Sequence, residues 1–136
     1  MAEEQLEPDI ASTMPVRSRP ARVLVVEDHP ALANYLSVVL RLAGYIVVGP
    51  AFDLASAAEL AQSAVVDIAL VDIGIGGERS FRALEALGAR EIPCIILSGY
   101  PKSALPSKYD RAAYLEKPFS QEELTQAVRD TLSRSA

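Results

Sequence analysis

Residues 67–74 read DIALVDIG, and this stretch decides how the rest of the chain is interpreted. Its centre, residues 68–71, is an uninterrupted apolar run, which is typical of a strand buried on both faces of a parallel sheet. The run ends at a carboxylate, Asp72. Because ligands of open α/β sheets bind at the carboxyl ends of the strands, Asp72 is a candidate nucleophile or metal ligand. Taken alone, an Asp that merely ends a strand would be the commoner interpretation.

The composition is that of a single globular domain, since half of the 136 residues are apolar and 23% are charged. The formal net charge of −5 argues against binding to a phosphate backbone, so no nucleic-acid partner is expected. Cys94, the one cysteine, lies in the apolar run CIIL and is interpreted as a core thiol. No run approaches the ~18 apolar residues of a membrane span, and a cytoplasmic location with no membrane partner is expected.

Residues 1–20 differ from the rest of the chain. They carry four acidic residues and prolines at 8, 15 and 20, which predicts a disordered N-terminal arm. Met14 is an alternative natural start. The domain itself is expected to occupy residues 21–136, with no second module.

Apolar runs predict five strands, at residues 23–26, 45–48, 68–71, 94–97 and 113–115. Helical apolar stripes predict four helices between and after them. The first begins at Pro30 and ends at Gly44, the second follows the N-cap Asp53, the third is capped by Ser80 and closed by Gly88, and the last begins with the capping box of Ser120 and Glu123. This alternation predicts a parallel sheet covered by helices on both faces.

Residues 100–112 depart from the alternation. A helix is expected between the fourth and fifth strands, but Pro101 and Pro106 interrupt it and the apolar residues form no stripe. We therefore predict a loop, or at most a turn of helix, in this segment.

The predicted carboxyl ends of the strands collect five polar side chains: Glu27, Asp28, Asp72, Ser98 and Lys117. Three carboxylates without a cation would repel one another, so the set predicts a divalent ion. Oxygen ligands of this kind favour Mg²⁺. Lys117 and Ser98 would then contact a phosphoryl group, and Asp72 would attack phosphorus to become an aspartyl phosphate.

The motifs VLVVEDHP, ALVDIG, IILSGY and YLEKPF resemble, in this order, those of a response-regulator receiver domain of the CheY type. The resemblance implies a flavodoxin-like sheet of order 2-1-3-4-5, which the CheY fold is known for. It also implies a phosphorelay step from a histidine kinase phosphohistidine to Asp72, in a two-component regulatory system.

The resemblance also implies roles for individual residues. Asp28, Asp72 and the carbonyl of Gly74 would bind Mg²⁺ directly, and Glu27 mostly through water. Lys117 and Ser98 would respond to the phosphoryl group, and Tyr114 would be the switch aromatic. The peptide bond between Lys117 and Pro118 would be cis.

Some features depart from the usual receiver pattern. The Leu-Pro pair that usually follows the phosphoacceptor is replaced by GIGGE, and the pieces GGER, REIPCIILSGY and LPSKY resemble single-domain receivers of α-proteobacteria with an FATGY-type signature. That subfamily implies a kinase partner of the HWE or HisKA2 type. The irregular residues 100–112 replace the fourth helix of the family's usual output surface, so that surface is not carried over to this chain.

The leading hypothesis is therefore a stand-alone phosphoacceptor, not an enzyme with turnover, that signals by protein contact or serves as a phosphate sink. The alternatives are an Mg²⁺-dependent phosphohydrolase, a flavodoxin-like cofactor binder and a pseudo-receiver scaffold that is never phosphorylated. His29 is interpreted as a solvated loop residue and the pair Gly76 and Gly77 as a flexible loop. Tyr100 is either a screen for the phosphoryl group or an exposed tyrosine.

Overall fold

The computed structural model describes residues 19–74 and 80–135. Most of the predicted N-terminal arm, and the Gly76 and Gly77 pair, lie outside these residues. The described chain contains one parallel sheet of five strands in the order β2-β1-β3-β4-β5. Its strands are β1 (Arg22–Val26), β2 (Ile46–Ala51), β3 (Ile68–Asp72), β4 (Cys94–Ser98) and β5 (Ala113–Glu116). Both the sheet and its strand order are as predicted.

Four α-helices cover the two faces of this sheet: α1 (Pro30–Leu42), α2 (Leu54–Ser63), α3 (Phe81–Ala89) and α4 (Gln121–Ser135). Helices α1 and α4 pack on one face, where Leu36, Leu40, Leu124 and Val128 are fully buried. Helices α2 and α3 pack on the other face through smaller residues such as Ala57 and Ala61. Because both faces are covered, every residue of β3 is buried, which explains its unbroken apolar run.

The register of the strands aligns their carboxyl ends. Val26 lies beside Val71 in the β1–β3 pair, and Ser98 lies beside Glu116 in the β4–β5 pair. Asp72 itself pairs with Leu97. The residues that end or follow β1, β3, β4 and β5 are therefore held at one edge of the sheet.

Several predicted element ends are confirmed. Helix α1 ends at Leu42 and is followed by Gly44 with φ of 96°, a left-handed conformation that glycine adopts without strain. The Asp53 side chain accepts a hydrogen bond from the Ser56 N–H and caps α2. Ser120 and Glu123 form the reciprocal capping box of α4.

Three predicted boundaries are wrong. Helix α3 continues through Gly88 to Ala89, and Ser80, although at the N-cap position, makes no capping hydrogen bond with its side chain. Strand β2 extends to Ala51 rather than ending at Val48. Its extension passes through Gly49, where φ is 89° and a Cβ atom would lie 2.8 Å from the backbone nitrogen of Ala51, so only glycine fits.

The prediction for residues 100–112 is confirmed, because this segment contains only two short 3₁₀ helices, Lys102–Ala104 and Ser107–Tyr109. The ring of Tyr109 stacks on the ring of Phe81 in α3, with centroids 5.4 Å apart. The Nζ atom of Lys102 also donates to the Ala112 carbonyl at 3.0 Å. Within the described chain, no helix is long and apolar enough to cross a membrane.

Candidate functional site

Glu27 is the most buried charged group of the sheet edge, with 1% of its surface exposed. It directly follows β1, and its backbone N–H donates to the Ala51 carbonyl at 3.0 Å. The His29 N–H donates to Oε2 at 3.0 Å, and Lys117 donates to Oε1 at 3.3 Å. Burial raises the pKa of the Glu27 carboxyl above its ordinary value, and the charge of Asp72 adds to this rise, against the opposing effects of His29 and Lys117. The site therefore holds a carboxylate whose negative charge is poorly solvated.

Asp72 is the last residue of β3 and is buried, but it keeps 7% of its surface exposed, against 1% for Glu27. Its Oδ2 atom lies 3.4 Å from Nζ of Lys117. Its Oδ1 atom is 3.4 Å from the backbone nitrogen of Gly74. An ammonium and a backbone N–H thus approach the two oxygens of the same carboxylate.

Lys117 enters the site from the end of β5. Its backbone N–H donates to the Ser98 carbonyl at 2.7 Å, and its bond to Pro118 is cis, as the family resemblance implied. From this anchor Nζ reaches both Glu27 and Asp72. One ammonium therefore bridges a fully buried carboxylate and a partly accessible one.

The three carboxylates of this edge form a cluster. Glu27, Asp28 and Asp72 each offer an oxygen, and these oxygens all lie within 4.8 Å of one another. Two of the three, Glu27 and Asp72, share the ammonium of Lys117. Oxygen donors at this spacing match a hard divalent cation such as Mg²⁺. The donor set of the cluster therefore fits such an ion.

Ser98, the last residue of β4, is 1% exposed. Its Oγ atom accepts a hydrogen bond from the Tyr100 N–H at 2.9 Å, which leaves the hydroxyl proton available as a donor. Tyr100 itself is 62% exposed. The structure therefore agrees with the exposed-tyrosine interpretation of Tyr100 and places Ser98 at the predicted edge.

Tyr114 lies in β5 opposite Ile96 and packs against the cluster on the α2 and α3 face. Its hydroxyl is buried and has no hydrogen-bond partner among the residues that the structure describes. Because a buried hydroxyl without a hydrogen-bond partner costs free energy, this hydroxyl destabilises the observed orientation of the Tyr114 ring. The switch role of Tyr114 stays a prediction.

The structure adds Ser80, which the sequence analysis treated only as a helix cap. Its hydroxyl donates to the carbonyl oxygen of Asp72 at 2.6 Å, and its backbone N–H donates to the Ile73 carbonyl at 3.1 Å. Ser80 is 0% exposed. No sequence signal separates this contact from ordinary capping, because a serine before a helix predicts a cap in either case.

His29 is exposed, as interpreted from the sequence, whereas Cys94 is partly buried and packs against the core rather than lying inside it. His29 caps α1, where its Nδ1 accepts from the Leu32 N–H at 3.4 Å. Cys94 begins β4, at the opposite edge of the sheet from Asp72, and burial raises the pKa of its thiol to about 12. A thiol with so high a pKa stays protonated and unreactive at neutral pH.

Comparison with known proteins agrees with this geometry. The model of the family described as the response regulator receiver domain matches residues 23–129. The transcriptional regulatory protein PdtaR of Mycobacterium tuberculosis is 32% identical over 119 residues, which cover 85% of this chain and 58% of that protein. The chain thus spans a little over half the length of this curated relative.

Solved structures show the same fold. A CheY-like response regulator receiver domain protein of Methanospirillum hungatei superposes with a TM-score of 0.77 at 22% identity, over 86% of this chain and 97% of that one. The chemotaxis protein CheY4 of Vibrio cholerae superposes with a TM-score of 0.72 at 27% identity, over 83% of this chain and 99% of that one.

Proposed function

Because the chain belongs to the response regulator receiver domain family, we propose that it accepts a phosphoryl group on Asp72 from the phosphohistidine of a sensor histidine kinase. The observation that carries this proposal is the position of Lys117, whose Nζ lies 3.3 Å from Glu27 and 3.4 Å from Asp72, a buried residue that keeps 7% of its surface exposed. This arrangement holds a nucleophilic carboxylate next to a cation at the solvent border. The chain would thus be a phosphoprotein of a two-component signal transduction pathway.

The reaction is a phosphoryl transfer in which an Asp72 oxygen forms a bond to phosphorus while the bond from phosphorus to the imidazole nitrogen breaks. The electron pair of the broken bond stays on the imidazole, which takes up a proton as needed. The ammonium of Lys117 already faces Asp72 and would attract the phosphoryl oxygens, and Ser98 would donate its hydroxyl proton to one of them. The protein supplies position and charge, and the donor supplies the phosphoryl group.

Mg²⁺ is the cofactor that the acidic cluster fits best. Asp28, Asp72 and the carbonyl of Gly74 would bind it, and Glu27 would contribute mainly through water. When bound, the ion would neutralise the negative charge that accumulates on the phosphoryl oxygens. The backbone nitrogen of Gly74 lies 3.4 Å from Oδ1 of Asp72, so the Gly74 backbone is adjacent to the proposed metal ligands.

Phosphorylation would then be transmitted through Ser98 and Tyr114. Movement of the Ser98 hydroxyl toward the phosphoryl group would free space on the side of β4 and β5. The Tyr114 hydroxyl, which has no hydrogen-bond partner in the described part of the chain, favours a change of ring position. The signal would pass by protein contact, or the chain would act as a phosphate sink. The kinase partner would be of the HWE or HisKA2 type, and no nucleic-acid contact is proposed.

The direct test is incubation with acetyl phosphate and MgCl₂ followed by intact-mass measurement. We expect the wild type to gain the mass of one phosphoryl group and the Asp72→Asn variant to gain none. Asp110→Asn is a matched control, because Asp110 is an exposed aspartate in the irregular segment, at the end of the second 3₁₀ helix. It should gain the same mass as the wild type.

The same experiment separates the alternatives. Release of inorganic phosphate without a covalent adduct would support a phosphohydrolase instead. Failure of the wild type to gain mass or to turn over acetyl phosphate, and to accept phosphate from a histidine kinase, would support the pseudo-receiver scaffold.

A further inference from the structure

We infer that Ser80 is a positioning residue for phosphoryl transfer, holding the backbone after Asp72 so that the carboxylate and Gly74 face one another. This inference rests on the proposed function of Asp72. The hydrogen bonds of Ser80 go to the backbone carbonyls of Asp72 and Ile73. Ser80 acts on the two peptide units that connect Asp72 to Gly74.

The hydroxyl of Ser80 donates to the Asp72 carbonyl at 2.6 Å, which fixes the peptide unit between Asp72 and Ile73. The N–H of that same unit donates to the Leu97 carbonyl in β4 at 3.0 Å. Both polar groups of the first peptide unit are therefore hydrogen-bonded, one to Ser80 and one to the neighbouring strand.

The second peptide unit joins Ile73 to Gly74. Its carbonyl accepts from the Ser80 N–H at 3.1 Å, and its own N–H is 3.4 Å from Oδ1 of Asp72. Because a peptide unit is planar, fixing the carbonyl also fixes the direction of the N–H. The backbone N–H of Ser80 thus orients the Gly74 N–H that approaches the Asp72 carboxylate, and the Ser80 hydroxyl holds the preceding peptide unit, to which this one is joined through Ile73.

Ser80→Ala removes the hydroxyl of Ser80 without disturbing α3. Ser80 occupies the N-cap position, but its side chain makes no capping hydrogen bond, so substitution by alanine does not remove a cap. The backbone N–H bond to Ile73 persists in that variant. Ser80→Ala therefore removes the bond to the Asp72 carbonyl and leaves the rest of the anchor in place.

Ser37 provides a matched control. It is also buried, at 3% exposure, and its hydroxyl donates to the Ala33 carbonyl at 2.9 Å within α1. Ser37→Ala removes a buried bond from a serine hydroxyl to a backbone carbonyl, as Ser80→Ala does, but at a site that is not part of the acidic edge. Comparing the two variants separates loss of a buried hydrogen bond from loss of positioning.

The experiment titrates MgCl₂ into the ¹⁵N-labelled wild type, Ser80→Ala and Ser37→Ala, and follows the Gly74 amide by NMR. Removing groups that orient metal ligands typically weakens metal binding 10-fold or more, so Ser80→Ala should raise the Kd for Mg²⁺ by roughly 10-fold. Ser37→Ala should leave it unchanged. Phosphorylation by acetyl phosphate should require correspondingly more Mg²⁺ in Ser80→Ala for a half-maximal rate.

Two results have distinct meanings. If the wild type binds Mg²⁺ and forms the Asp72 adduct, but Ser80→Ala has the Mg²⁺ affinity of the wild type, the positioning role is wrong and the proposed function stands. If the wild type neither binds Mg²⁺ nor forms an adduct, the proposed function fails, and the positioning role fails with it.

Discussion

Nζ of Lys117 lies 3.4 Å from Oδ2 of Asp72, although the two residues belong to the ends of different strands that are separated in the sheet by β4. The same nitrogen lies 3.3 Å from Glu27. Lys117 is therefore the group that joins the buried carboxylate to the accessible one. The positive charge of Lys117 offsets the repulsion between the carboxylates of Glu27 and Asp72, which the packing of the sheet edge holds close together.

Replacing Lys117 by methionine should slow phosphorylation of Asp72 by about 100-fold, because a preorganised charge at the transferred group is lost. The rate of mass gain with acetyl phosphate measures this. Lys108→Met is the control, since Lys108 lies 3.2 Å from Glu85 in an ion pair whose two side chains are more than half exposed. Such pairs contribute little, so Lys108→Met should phosphorylate at the wild-type rate. Equal slowing of both variants would contradict a specific role for Lys117.

Glu27→Gln should make the protein more stable than the wild type at neutral pH, in the absence of divalent ions. Burial raises the pKa of Glu27 above 4.5 in the folded state, so the folded state binds this proton more tightly than the unfolded one. The resulting stabilisation is present below pH 4.5 and is lost as the pH rises through the folded pKa. Glu27→Gln has no carboxyl at this position, so its stability does not change with pH through this group.

Urea denaturation of the wild type and Glu27→Gln at several pH values measures the difference. The advantage of Glu27→Gln should grow from pH 4.5 upward and level off once Glu27 of the folded wild type is ionised. A difference that does not change with pH would show that the Glu27 carboxyl titrates alike in both states.

MgCl₂ should stabilise the wild type, because an ion that binds only the folded state adds about 2.7 kcal/mol at 100 times its Kd. Asp28→Asn should lose most of this gain, since the cluster then offers one carboxylate fewer. Thermal unfolding with and without MgCl₂ measures both. Asp130→Asn, which alters an exposed acid of α4, should keep the full response. An equal loss in Asp130→Asn would point to a general effect of charge.

Tyr114→Phe should not destabilise the protein and should raise its free energy of unfolding by about 1 kcal/mol, because it removes a buried hydroxyl that has no partner among the described residues. Chemical denaturation tests this directly. A loss of stability on removing the hydroxyl would mean that it is hydrogen-bonded in solution.

Phosphorylation should increase hydrogen-exchange protection in residues 99–112. Ser98 and Lys117 flank the segment and β5, and both would be drawn toward a new phosphoryl charge. The segment is already attached to α3 through the stacked rings of Tyr109 and Phe81, so ordering should begin from that contact. Exchange measured with and without beryllofluoride tests the idea, with Asp72→Asn as the unresponsive control. Unchanged protection in the wild type would refute it.

Local sequence patterns predicted most of the fold. The apolar runs located all five strands, and the capping residues Asp53, Ser120 and Glu123 behave as their types predict. Boundaries failed where a local signal competed with packing. Gly88 lies inside α3 because the helix can continue past a glycine when its other residues, such as Leu84 and Leu87, are buried against the sheet.

The sequence by itself determined the parallel sheet, the irregular residues 100–112 and the identity of the polar groups at the strand ends, because these follow from residues adjacent in the chain. Only the tertiary structure decided the contacts between them. The approach of Lys117 to Glu27 and Asp72 depends on the order and register of strands that are distant in sequence. The hydroxyl of Ser80 likewise bonds to Asp72 rather than capping α3, because burial beside β3 offers it a backbone carbonyl within reach, and no pattern of neighbouring residues encodes that choice.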